Sequence, residues 1–151
     1  MKTMTVSELH EQLTKAGEGQ AQEIRRHKAG STGHQGDCYV HAIKKRPEAW
    51  DIETTDQTRQ VAVGQGEGSN HRASGKVRIF WPKNTDIAAE QSPVQIFKNE
   101  PAARRVCLGP IIEAEEEWTL THPKHAHHTF PAGIYQVTFQ LDRRTMRRVQ
   151  D

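Results

Sequence analysis

The chain has 151 residues, of which 34% are hydrophobic and 6% aromatic, with a formal net charge of +2 and a mean hydropathy of -0.84. That length fits one domain with a modest core, and the balanced charge excludes a self-repelling disordered chain. No apolar run is long enough for a membrane span or a leader, the two cysteines form no CxxC, and a pI near 8.6 is too mild to demand nucleic acid. The expectation is a protein made in the cytoplasm, with no membrane partner and none of nucleic acid.

Residues 1–33 read as an N-terminal helix and arm. Thr5 and Glu8 match a capping box, Val6, Leu9 and Leu13 fall on one face, and Gly17 is a natural stop. So narrow a stripe cannot hold a short helix by itself, so Leu9 and Leu13 are expected to dock on the domain or a neighbour. The stretch from Gly17 to Gly33 is polar and includes Arg25 and Arg26.

Residues 34–151 read as a β domain. From His34 to Lys45 Tyr39, His41 and Ile43 alternate with Cys38, Val40 and Ala42, after a turn at Gln35-Gly36-Asp37. Glu48 to Arg59 is polar and expected as a loop. A short strand from Gln60 to Val63 is stopped by Gly64, Gly66 and Gly68. Gly75 to Trp81 is a second clear strand, Lys83 to Ser92 an expected loop, and Pro93 to Lys98 strand-like. Pro101 to Arg105 is expected to turn. The acidic block Glu113 to Glu117 could open a helix, but Trp118-Thr119-Leu120 reads as a strand entering a histidine-rich loop. In the last strand, Ile134 to Leu141, Gln136, Thr138 and Gln140 oppose Tyr135, Val137 and Phe139, which predicts one apolar and one polar face. Arg143, Arg144, Arg147 and Arg148 make a basic tail. Short strands split by Gly and Pro turns, without βαβ alternation, predict an all-β antiparallel sandwich or barrel.

Chemistry concentrates in the histidines. Four of the nine lie between Thr121 and Val137: His122, His125, His127 and His128. Imidazoles with a carboxylate suit zinc, iron or nickel. The candidate ligands are Glu67, His71, His122, His125 and His127, the last two sharing a face if the segment is extended, while His127 and His128 point apart. The alternative is a histidine-decorated loop, and no resident cofactor is expected unless the histidines converge. The glycine loop matches neither a P-loop nor a Rossmann fingerprint. Neither cysteine has an evident activating partner, and no serine sits in a nucleophile elbow. The arginines can face solvent or pair with an acidic strip such as Glu113 to Glu117 on a neighbour.

Three blocks carry a resemblance: Gln35-Gly36-Asp37; Gly66-Glu67 followed by His71-Arg72; and His122-Pro123-x-His125-Ala126 running into Pro131-Ala132-Gly133-x-Tyr135-x-Val137. Together with the closing Arg147-Arg148-Val149-Gln150-Asp151 they resemble a small, largely uncharacterised family of bacterial and phage β-proteins over residues 34–151. A weaker likeness is to cupins, which implies a jelly-roll or cupin-like sandwich. Where the cupin pattern has His-x-His this chain has His71-Arg72-Ala73, and Ile134-Tyr135-Gln136 follows the Pro-x-Gly turn without a histidine. Those departures argue against a cupin metal site. The architecture is also similar to cement or decoration proteins that clamp phage capsids. The resemblance implies a non-enzymatic accessory protein of a virion, binding copies of itself or a shell protein through Leu9, Leu13, Arg25, Arg26 and the tail arginines. The alternative is a cupin-like metal-binding barrel, possible as an enzyme only if the histidines meet at one ion.

Overall fold

The computed structural model describes residues 23–54, 59–60 in backbone alone, and 71–149. Leu9, Leu13, Glu67 and the glycine loop lie outside the described residues.

The first part of the chain forms β1 (Ile24–Arg26), β2 (Thr32–Gln35), β3 (Cys38–Ile43), β4 (Ile52–Thr54) and β5 (Arg59–Gln60). β6 (Arg72–Ser74), β7 (Val77–Trp81), helix α1 (Thr85–Gln91) and helix α2 (Pro101–Cys107) follow. The last part holds β8 (Leu108–Ala114), β9 (Trp118–Thr121), β10 (His127–Phe130), β11 (Gly133–Phe139), β12 (Leu141–Asp142) and β13 (Arg147–Arg148). Five strands form one sheet in the order β1-β10-β9-β6-β5, and six form the other in the order β2-β3-β11-β8-β7-β4. All pairings are antiparallel except β1 with β10. The fold is therefore an all-β sandwich. The barrel alternative is not realised, because β1 and β5 end one sheet and β2 and β4 the other.

Three bent runs tie the sheets together. β6 pairs with β9 in one sheet while β7 pairs with β8 in the other. Likewise β9 pairs with β10, and β8 with β11. Strands that switch sheets need a corner. At the first corner Gly75 has φ of +128°, and a Cβ there would lie 3.3 Å from the Trp118 Cβ, so a side chain meets both backbone strain and a tight contact. A second glycine is required by close approach: a Cβ on Gly109 would lie 2.7 Å from Val137 O, beside the register shift between Gln136 and Thr138.

Between the sheets Val40, Ile79, Ile112, Trp118, Leu120, Phe130, Val137 and Phe139 form the main core. Burying each such side chain contributes about 1.5–3 kcal/mol. A second apolar layer, Trp50, Phe80, Ala88, Ala89, Leu108 and Ile111, covers the outside of the six-stranded sheet, with Trp50 Nε1 donating to Gly109 O at 2.9 Å.

That layer corrects several expectations. Residues 85–91 are a helix, not a loop: the Asn84 side chain accepts from Asp86 N and Ile87 N at 3.0 and 3.1 Å, a true N-cap, and Ala88 and Ala89 face the sheet. Pro93 to Lys98 is irregular, not a strand, and Pro101 starts a helix with its ring at the first turn. The polar side of β11 is not solvated: Gln136 is 0% and Thr138 2% exposed. The segment after α1 covers it, and Ser92 Oγ donates to Gln136 Oε1 at 2.9 Å. Several short strands also fall outside the expected set: β1 and half of β2 in the supposed arm, β4 within the supposed polar loop, β6 around Arg72, β10 in the supposed histidine loop and β13 in the basic tail.

Candidate functional site: a histidine cluster at one end of the sandwich

β6 and β9 pair with Arg72 opposite Thr121 and Ala73 opposite Leu120. Ala73 and Leu120 belong to the core. Side chains alternate along a strand, so His71 and His122, just beyond the ladder, turn to the same inner side. The β2–β3 turn supplies Gln35 and Asp37 from the other sheet. Gln35, Asp37, His71 and His122 are all buried.

Hydrogen bonding fixes this cluster's protons. Gln35 Nε2 donates to Leu120 O at 3.0 Å and to Ala126 O at 2.7 Å. Carbonyls only accept, so the amide cannot be reversed and Oε1 faces His71 Nδ1 at 2.8 Å. Nδ1 must therefore donate. His71 Nε2 lies 2.8 Å from Asp37 Oδ1, and a carboxylate also accepts. One proton is thus held between Asp37 and His71 beyond what a neutral imidazole and a carboxylate carry. That proton lies in the 2.8 Å contact between His71 Nε2 and Asp37 Oδ1. His122 is also set by the backbone: its Nδ1 accepts from Lys124 N at 3.0 Å, placing the ring proton on Nε2.

The structure brings three of the candidate ligands together. Ring centroids of His71 and His122 lie 4.6 Å apart, His122 and His125 4.5 Å, and His71 and His125 6.4 Å. Histidine ligates a metal through a lone pair. His71 offers none in this network, and the His122 Nδ1 lone pair faces a backbone N–H. Among the described residues no three His, Cys, Asp or Glu side chains are arranged to hold a metal ion. His127 enters β10, where it is buried opposite Ile24.

A second histidine pair lies at the other neighbour in sequence. His128 Nδ1 and His27 Nε2 are 2.7 Å apart, and the His27 ring stacks on Phe130 at 4.5 Å with 9° between planes. Burial, then the adjacent His27, lowers the His128 pKa to about 4, because a second proton would set two cations face to face. Residue patterns miss this pair because His27 sits 101 positions away in a stretch that reads as arm. Gln35 is missed for the same reason: glutamine carries no site signal until its partners are known.

Both cysteines are free and buried. Burial raises both thiols, most strongly Cys38, where Asp37 adds to the effect, so neither is poised as a thiolate.

The tail arginines divide. Arg148 is half-buried and engaged within the chain: its Nε donates to Val106 O at 2.7 Å and Nη2 to Leu108 O at 3.0 Å, closing the carbonyl end of α2. Arg143 forms a two-pronged pair with Glu100. Arg144 is exposed on the β12–β13 turn, Arg147 on β13, and Arg25 and Arg26 on β1. The acidic strip is largely engaged within the chain, through Arg46 to Glu113 at 2.8 Å, Lys76 to Glu116 at 3.0 Å and Arg26 to Glu117 at 3.6 Å.

No family model matches this chain, and no curated protein or solved structure shows significant similarity to it. No helix among the described residues is long and apolar enough to cross a membrane.

Proposed function

We propose that the chain is a non-enzymatic accessory protein that binds neighbouring subunits, as cement or decoration components do on phage capsid-like shells. The observation that carries this reading is the pair of sheet margins. β1 is exposed along its whole length, with Ile24 39% exposed, and at the far margin β4 leaves Ile52 48% exposed. Margin strands with apolar side chains accept an added strand from a second chain. Arg25 and Arg26 supply charge on β1 itself. Inside the sandwich, Gln35, Asp37 and His71 are hydrogen-bonded to one another.

Sedimentation velocity on untagged protein tests it. The reading expects a concentration-dependent oligomer that Ile52→Lys or Ile24→Lys disperses without loss of fold. A monomer across about a hundredfold range of concentration contradicts it.

A second reading, a cupin-like metal-binding protein, draws on one observation, the convergence of the His71, His122 and His125 rings. Elemental mass spectrometry after dialysis against a weak chelator separates the two. About one zinc, iron or nickel per chain, lost in His122→Ala, supports a metal site; no retained metal removes it.

A further inference from the structure

On the outer face of the six-stranded sheet, away from the histidine cluster, lies a cavity of about 360 Å³ whose walls include Tyr39, His41, Phe97, Thr138, Phe139 and Arg143. Small-molecule sites commonly span about 300–1,000 Å³, with mostly apolar walls and a few placed polar groups. Here the walls combine rings with the aliphatic side chains of Ile96 and Leu141. Tyr39 and His41 present nearly parallel faces, 17° apart in plane with centroids at 6.5 Å. Phe97 adds a third ring from the segment between the helices. Its backbone holds φ of 47°, a conformation costly for an aromatic residue, and such strain persists only where surrounding structure enforces it.

The polar groups have distinct places. His41 Nε2 meets Thr138 Oγ1 at 2.8 Å on the floor. Burial lowers the His41 pKa, so the ring is neutral and offers one donor and one acceptor. At the rim the Arg143 guanidinium lies 5.3 Å from the Phe97 ring centroid. Glu100 holds it there, and an ion pair this exposed is weak enough for a ligand carboxylate to share or displace.

We propose that this cavity binds a small planar aromatic acid. The ring lies against Tyr39 and Phe97, the carboxylate meets the Arg143 fork, and a ring hydroxyl reaches the His41–Thr138 floor. The proposal is independent of the assembly reading, since neither sheet margin takes part.

The test is a titration of ¹⁵N-labelled protein with 4-hydroxybenzoate followed by amide shifts, with benzoate and the non-planar cyclohexanecarboxylate as comparators. The expected result is saturable shifts at Tyr39, His41, Thr138 and Arg143 with Kd of about 0.1–1 mM. Arg143→Gln, an exposed change that leaves the core intact, weakens both aromatic acids about tenfold. Thr138→Val weakens 4-hydroxybenzoate alone. Shifts that do not saturate, an equal response to cyclohexanecarboxylate, or unchanged affinity in Arg143→Gln would overturn it.

Discussion

Gln35 is the side chain on which the histidine cluster depends. It donates to two carbonyls and accepts from His71, so Gln35→Leu strands three buried polar groups at once. Each unsatisfied group costs roughly 1–3 kcal/mol. Urea denaturation of Gln35→Leu should show a loss of at least roughly 3 kcal/mol; a loss below about 0.5 kcal/mol, the size of a neutral surface change, would mean the network contributes little. His128 sets the response to acid. Its folded pKa is lowered from 6.5 to about 4, so the fold favours the neutral ring. Above pH 6.5 neither state is protonated there, and the stability is fully present. As pH falls from 6.5 to 4 the unfolded chain takes up a proton that the fold resists, and stability is lost. Burial lowers His27 and His41 in the same direction. The melting temperature should therefore fall across that window, and His128→Gln should flatten the slope. An unchanged slope in the variant would remove His128 as the cause. The His71–His122–His125 grouping could be anticipated from residue type alone. The roles of Gln35 and His27 could not, because their partners lie 36 to 101 residues away.

Among elements, the bent strands decide the architecture. Gly75 turns the first of them at φ +128° under Trp118. Gly75→Ala should cost about 1–3 kcal/mol in thermal or urea unfolding, and a neutral outcome would show that the corner adapts. The Asn84 cap of α1 is an exposed, local interaction; Asn84→Ala should cost about 1 kcal/mol. Strands β3, β7 and β11 were legible because alternation over five to seven residues gives period 2 enough repeats to be read. The helices of seven residues and the strands of three offer barely two turns or one alternation, so composition alone described them, as loops. The polar side of β11 misled for a different reason. Gln136 and Thr138 are polar in type, but Ser92 Oγ donates to Gln136 Oε1 and His41 Nε2 meets Thr138 Oγ1 under cover, and burial with a partner leaves no trace in a hydrophobic pattern.

For the molecule as a whole, the sandwich follows from the number of short strands, while the open margins depend on pairings that no local pattern specifies. The Gln35, Asp37 and His71 network joins the two sheets at one end: β2 and its turn belong to the six-stranded sheet, whereas His71 and Leu120 belong to the five-stranded one. If that tie is closed, the histidine cluster is part of the frame, and the proposed subunit binding at the margins does not involve it. If it is open, the cluster is free to take an ion, and the metal-binding reading gains its ligands. The protonation of His71 separates these cases. Long-range ¹H–¹⁵N correlation on the untagged, chelator-dialysed protein at neutral pH reads both ring nitrogens directly. The account predicts a protonated Nδ1 and an Nε2 held in its hydrogen bond to Asp37, both unchanged when zinc is added. An unprotonated Nδ1, or a shift to a metal-bound nitrogen on adding zinc, would contradict it.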